Sequence, residues 1–215
     1  QTVNGVTIAY LSYTEHTNGI PQNSSMQANV IYTSQTDVIE QQVKAARQLA
    51  NFVVVGVHWG VEDSHTIVDG QRTLAQQLAD WGADVIVGTH PHVLQNAQWL
   101  TAADGRQVFT AYSLGNFIST QEKPDQLVGA ILSVQLEKTT ELDGTVRCSV
   151  LSPRLLPTVT HYDAGKSNVR TYLFRDYTEA LTKAHGVRQA YPDFSLEMIQ
   201  SIARENIDPE FLQLT

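Results

Sequence analysis

The sequence predicts an α/β sandwich with two β-sheets at its centre. Three observations carry that prediction. Phe52–Val57 (FVVVGV) and Asp84–Val87 (DVIV) are short, nearly continuous apolar runs of the kind found in strands buried on both faces. Each run is preceded by a stretch whose apolar residues recur at helical spacing. From Gln107 onward the helical spacing gives way to alternating runs joined by a tight turn, the texture of antiparallel strands.

Size and charge bound what such a fold can do. The 215 residues suffice for one substantial core, with room for a small appendage. The excess of 22 acidic over 14 basic side chains gives a net charge of −8, the wrong sign for binding nucleic acid or an anionic membrane. A polyanionic ligand therefore needs a local positive centre, such as a bound metal. A lone cysteine, Cys148, excludes an intrachain disulfide framework. No apolar run approaches the roughly 18 residues of a membrane span, and no signal segment is visible. Anchoring or export is thus expected to come from outside this sequence.

The elements follow in order. Val3–Leu11 reads as a strand, with Gly5 as a turn or bulge. A polar loop covers Thr14–Ser25. The spacing predicts a helix from about Asp37 to Ala50, with Val38, Ile39, Val43, Ala46, Leu49 and Ala50 as its apolar stripe and Ser34 with Asp37 as a capping box. A second helix covers about Gly70–Trp81, turning Leu74, Ala75, Leu78 and Trp81 inward, and Gly82 supplies a left-handed stop. Val108–Tyr112 and Leu127–Glu137 read as strands. The latter pairs with Val146–Leu151 through a hairpin at Asp143-Gly144. Two helices close the chain, about Asp176–His185, stopped by Gly186, and about Leu196–Asn206. No internal repeat or low-complexity segment is present.

Two segments carry candidate chemistry. His58-Trp59-Gly60-Val61-Glu62 follows the first buried strand, and Gly88-Thr89-His90-Pro91-His92 follows the second. Both lie where a parallel strand hands over to its loop, the edge at which α/β sheets place ligands. Pro91 disfavours helical backbone at His90, so the tripeptide is expected to run extended and to aim His90 and His92 to one side. His58 then arrives from a neighbouring strand end, and three converging imidazoles suit zinc, manganese or iron. Taken singly, each has an ordinary reading as a hydrogen-bonded loop histidine; together, after two buried strands, they read as a metal site. Glu62 reads either as an acceptor orienting an imidazole or as a solvated carboxylate. His65 reads as an exposed loop residue, and His16, His161 and His185 have no identifiable partner. Ser113-Leu114-Gly115-Asn116-Phe117 reads as a turn that can also line the same edge.

A resemblance now enters. Tyr13-Thr14 with Thr17-Asn18-Gly19, His58-Trp59-Gly60-Val61-Glu62, the run Gly82 to Gln95 containing Gly88-Thr89-His90-Pro91-His92, and Tyr112-Ser113-Leu114-Gly115-Asn116-Phe117 resemble, in order, the bacterial capsule synthesis protein (CapA) family of poly-γ-glutamate biosynthesis. The resemblance covers about residues 3–155. It implies a metallophosphoesterase-like αββα sandwich with two central mixed β-sheets. It also implies that His58 is the isolated metal-ligand histidine of that superfamily and that His90 and His92 are its terminal histidine pair, in a two-metal site. The Glu62 and Asn116 positions also match family motifs, which makes them candidates for residues that line that site or support its ligands.

One departure is large. Domains of this kind begin with a strand bearing an aspartate ligand, then further Asp/Glu, Asn and His ligands. Gln1–Asn51 contains no Asp-x-His or Gly-Asn-His motif, and its acidic residues are Glu15, Asp37 and Glu40 alone. The resemblance therefore implies that the N-terminal strands are missing, that residues 1–160 are the C-terminal part of the domain, and that residues 161–215 are a helical extension packing on it or forming a small cap. A bared sheet edge then favours self-association or pairing with the missing N-terminal fragment.

The resemblance implies either of two functions. One is capsule biosynthesis or export by a metal-dependent, phosphoesterase-like hydrolase, in which this chain alone is inactive. The other is a non-catalytic scaffold that binds polymer or membrane partners of the capsule machinery. Either implies capsule polymer and membrane components as partners, no nucleic acid, and a location on the extracellular face of the bacterial cytoplasmic membrane through an N-terminal tether.

Overall fold

The computed structural model describes residues 1–19 and 29–215. β1 (Thr2–Val3) turns back at Asn4-Gly5, both with positive φ, to pair antiparallel with β2 (Val6–Thr14). Gly5 is therefore the turn of a short hairpin. The polar loop expected over Thr14–Ser25 lies partly outside the described residues.

α1 (Thr36–Leu49) buries Ile39, Val43 and Ala46. Leu49 instead stands 80% exposed, so the inward stripe is narrower than its spacing suggests. The helix begins after Gln35 with no side-chain cap, which corrects the capping box expected at Ser34 and Asp37; the Gln35 side chain accepts from the Tyr32 amide instead. β3 (Phe52–His58), α2 (Asp69–Trp81) and β4 (Val85–Thr89) follow as expected. Gly82 ends α2 at φ +127°, with its amide bonded back to Leu78 and Ala79 carbonyls.

β5 (Leu94–Thr101) and β6 (Gln107–Leu114) form an antiparallel pair, and β5 had no sequence signal of its own. The six strands form one sheet in the order β1-β2-β3-β4-β6-β5, in which β2, β3, β4 and β6 run parallel. After the short α3 (Pro124–Leu127), β7 (Val128–Thr140) and β8 (Val146–Asp163) form the hairpin predicted at Asp143-Gly144, and β9 (Ser167–Leu173) completes an antiparallel three-stranded sheet. The tail is thus not helical from residue 161: β8 continues to Asp163, and β9 intervenes before α4 (Glu179–Ala184) and α5 (Leu196–Asn206).

Two cores sandwich the six-stranded sheet. On one face Val53, Val55, Val57 and Tyr112 pack with Ile39 and Val43 of α1 and with Leu74 and Leu78 of α2. On the other, Phe109, Ala111 and Leu94 pack with Leu127, Val128, Leu155 and Val159 of the second sheet region and with Ile199 and Ile202 of α5. The fold is a metallophosphoesterase-like α/β sandwich. Full burial of each valine, leucine, isoleucine or phenylalanine among them contributes about 1.5–3 kcal/mol before entropy is counted.

The opposite end of the sheet from the histidines is closed by charge. Asp84, just before β4, accepts from the Val53 amide at 2.7 Å and pairs with Arg47 at 2.6 Å and Arg106 at 3.4 Å. Burial raises the Asp84 pKa, opposed by that amide and the two guanidinium groups.

Candidate metal centre

Strand register delivers the histidines to one place. Thr14 of β2 pairs with His58 of β3, which pairs with Thr89 of β4, so three parallel strands end level. Because Val53, Val55 and Val57 face the helices, alternation turns His58 to the other face. His90 follows Thr89 directly and is 8% exposed. The ring centroids of His58 and His90 lie 4.4 Å apart, and those of His90 and His92 lie 5.9 Å apart.

The backbone reaches this arrangement differently from the extended tripeptide expected around Pro91. The strand stops at Thr89, and His90 and His92 adopt φ of +100° and +62°. Left-handed backbone at a residue bearing a Cβ costs roughly 1–3 kcal/mol and persists only where its surroundings hold it. Here the Asp63 amide donates to the Pro91 carbonyl at 2.9 Å, the Ser113 hydroxyl to Val93 O at 2.7 Å, and Asn116 Nδ2 to His92 O at 3.3 Å.

Hydrogen bonding also fixes two tautomers. The Thr14 hydroxyl spends its one proton on His16 O at 2.7 Å, so it accepts from His58 Nδ1 at 3.0 Å. The Asn116 amide nitrogen donates to the His92 and Gln126 carbonyls, so its Oδ1 accepts from His92 Nδ1 at 2.9 Å. Both rings are left with a bare Nε2 lone pair, the form in which imidazole binds a metal. Burial first, then the neighbouring imidazoles, push the pKa of His58 and of His90 below the ordinary histidine value. His58 and His90 are therefore neutral nitrogen donors at neutral pH.

Among the described residues, two triads offer ligand atoms within 4.8 Å of one another: His16, His58 and His90, and Glu62, His90 and His92. The three predicted ligands are thus gathered at one edge, and Glu62 stands 3.8 Å from His92 Nε2. These donors fit a divalent transition metal, for which imidazole and carboxylate are the customary ligands.

The profile of the family described as bacterial capsule synthesis protein PGA_cap matches residues 1–121. This chain belongs to that family. Among curated relatives, it is 35% identical over 150 residues to the PGA biosynthesis protein CapA of Bacillus subtilis (strain 168), covering 70% of this chain and 37% of that protein. It is 36% identical over 132 residues to the capsule biosynthesis protein CapA of Bacillus anthracis, covering 56% of this chain and 29% of that protein. The matched stretches therefore span well under half the length of either curated relative.

Within this chain of the PGA_cap family, Gly88 and Trp59 pack together under the ends of β3 and β4. Trp59 is 2% exposed, and its indole reaches across β4 to Tyr112 O at 2.9 Å. Only glycine at position 88 permits this, because a Cβ there would stand 1.8 Å from Tyr112 O and 2.4 Å from Trp59 Nε1. Gly115, at φ +64°, does the same for the Asn116 turn against Val128 O. A cleft of about 430 Å³ is lined by Glu15, Thr33, Trp59, Gln71 and Leu74, and by none of the candidate ligands.

Other sequence expectations change as well. His16, for which no partner was foreseen, sits beside His58 and His90. Its signal was the register of β2 against β3, which carries the start of the polar loop to the same edge. His65 is partly buried rather than exposed: its ring faces Leu94 O at 2.7 Å and Asp125 at 3.1 Å, and the Asp125 bond leads in raising its pKa. Asn116 is more than a turn residue, since it holds His92 at two points. His161 and His185 lie apart from the site in the second core, bonded to Tyr177 and to Thr160 O respectively.

Proposed function

We propose that the chain supplies the histidine-bearing part of a metal centre in a protein of capsule polymer biosynthesis or export, of the poly-γ-glutamate type. The observation that carries the reading is the convergence of His58, His90 and His92, with bare Nε2 atoms on His58 and His92, at the edge where three parallel strands end level. A divalent ion held there would supply the positive centre that polarises a phosphoryl or carbonyl oxygen, against the negative field of a chain with net charge −8. The chain's own residues do the rest. His58, His90 and His92 would hold metal at this edge, in one ion site or two, with Glu62 as a carboxylate donor beside His92. Thr14 and Asn116 keep His58 and His92 in the ligating tautomer.

The activity that fits this arrangement is metal-dependent hydrolysis of a phosphoester-like bond by the full-length protein. The partners are the capsule polymer and membrane components of its machinery, at the extracellular face of the cytoplasmic membrane. Pairing with a further segment or a second copy is supported by the outer edge of β2, which among the described strands meets only the two-residue β1 and leaves Tyr10 60% exposed. Among the described residues no helix is long and apolar enough to cross a membrane.

The test is capsule formation in cells whose full-length protein carries His58, His90 and His92 all changed to alanine. Loss of capsule at an unchanged level of folded protein is expected. Normal capsule from that variant contradicts the reading.

A further inference from the structure

The two triads share His90, and a neutral imidazole cannot serve both. It carries one lone pair, and bridging two ions would require the ring to lose its remaining proton. Distance allocates it. The His90 ring centroid is 4.4 Å from that of His16 and 4.4 Å from that of His58, but 5.9 Å from that of His92.

His16 is placed at this edge by two independent ties. The Thr14 hydroxyl donates to His16 O while accepting from His58 Nδ1, joining the backbone of one histidine to the ring of the other. The adjacent Glu15 carboxylate accepts from the Gly60 amide at 2.9 Å, pinning the same segment to the loop after β3.

We propose that this chain by itself loads one divalent ion at an all-imidazole subsite of His16, His58 and His90, while Glu62 and His92 form a separate half-site that needs ligands from elsewhere. The proposal rests on the reading that this edge binds metal, and adds which residues bind first and with what preference. Three protein nitrogens with an open fourth position favour a borderline ion such as zinc or cobalt. The Glu62/His92 half-site, with one oxygen and one nitrogen, is the poorer competitor for such an ion. Donors around zinc stand about 3.3 Å apart when the zinc–nitrogen distance is about 2.0–2.1 Å. A ligand-atom spread of up to 4.8 Å is therefore closed by side-chain rotation, chiefly of His16 in its loop.

The experiment is cobalt(II) titration of the purified 215-residue chain, followed by visible absorption and by calorimetry. The expected result is one ion per chain with the intense bands of a low-coordinate site. His16→Ala and His58→Ala are each expected to weaken binding about 100-fold or more, beyond what loss of a ligand's supporting hydrogen bond costs. His92→Ala and Glu62→Gln are expected to stay within about threefold of the parent, and thermal melts confirm that each variant is folded. His16→Gln serves if the alanine variant fails to fold. Wild-type affinity in the folded His16 variant, loss of the ion in His92→Ala, or no ion bound by the parent chain overturns the proposal. The broader metal reading falls only if the full-length protein also binds no ion.

Discussion

Asn116 grips His92 at both ends: its Oδ1 accepts from the ring Nδ1 at 2.9 Å, and its Nδ2 donates to the backbone carbonyl at 3.3 Å. One amide thus sets the tautomer and steadies a residue held at φ +62°. Asn116→Ala removes both bonds. Metal affinity of the full-length protein at the His92 position is expected to drop about 10–100-fold, measured by equilibrium dialysis. An unchanged affinity would mean that the ring is held by packing alone.

The His65–Asp125 pair joins the loop after β3 to α3. Both ring nitrogens face acceptors, so the protonated imidazolium satisfies both, and its pKa is raised. Asp125 is correspondingly lowered, led by the bond to His65. A histidine raised in the folded state contributes stability that is full below its unfolded pKa of about 6.5 and is lost as pH rises through the folded value. The aspartate contribution runs the other way, present above about 3.9 and lost as pH falls through its folded value. The pair is therefore strongest in mildly acidic solution. NMR titration of His65 is expected to give a value above 6.5 that falls in Asp125→Asn; identical values in the two proteins would contradict this.

His185 works in the opposite sense. Its Nε2 donates to Thr160 O, its Nδ1 accepts from the Val187 amide, and burial lowers its pKa to about 4. Between about 6.5 and 4 the unfolded chain takes up a proton that the folded chain refuses, so stability falls as pH falls, by roughly 3 kcal/mol at most. His185→Asn keeps an acceptor for the Val187 amide and removes the titration. Its acid unfolding midpoint is expected at lower pH than the parent's, and a midpoint shifted upward would contradict the assignment.

Gly88 tests packing under the site. With a Cβ 1.8 Å from Tyr112 O, Gly88→Ala must push β6 or the Trp59 indole aside. Overpacking of a filled core costs about 1–3 kcal/mol and more where backbone is struck. Chemical denaturation should place the loss at or above about 3 kcal/mol, and a loss under about 1 kcal/mol would show that the strands move freely.

Much of this was legible in the residues. The buried runs before His58 and His90 gave β3 and β4, and Asp143-Gly144 gave the β7–β8 hairpin, because burial and turn chemistry act over a few residues. β5 was silent because Gln95, Asn96 and Gln98 interrupt its apolar pattern. Gln95 is nevertheless buried, its amide satisfied by Ser64 O and Thr66 O. At the site, His58, His90 and His92 were visible from their place after strands. The left-handed backbone of His90 and His92 was not, since bonds from Asp63, Ser113 and Asn116 impose it from distant parts of the chain. His16 was hidden for a similar reason: only the pairing of β2 with β3 brings it across 42 residues to His58.

The central claim is that this edge binds metal through His58, His90 and His92. Plasma mass spectrometry of the purified full-length protein, beside its His58/His90/His92-to-alanine variant, tests it most directly. The account predicts about one or two transition-metal ions per chain in the parent and none in a folded variant. Equal metal content in the two, or none in the parent, would contradict it.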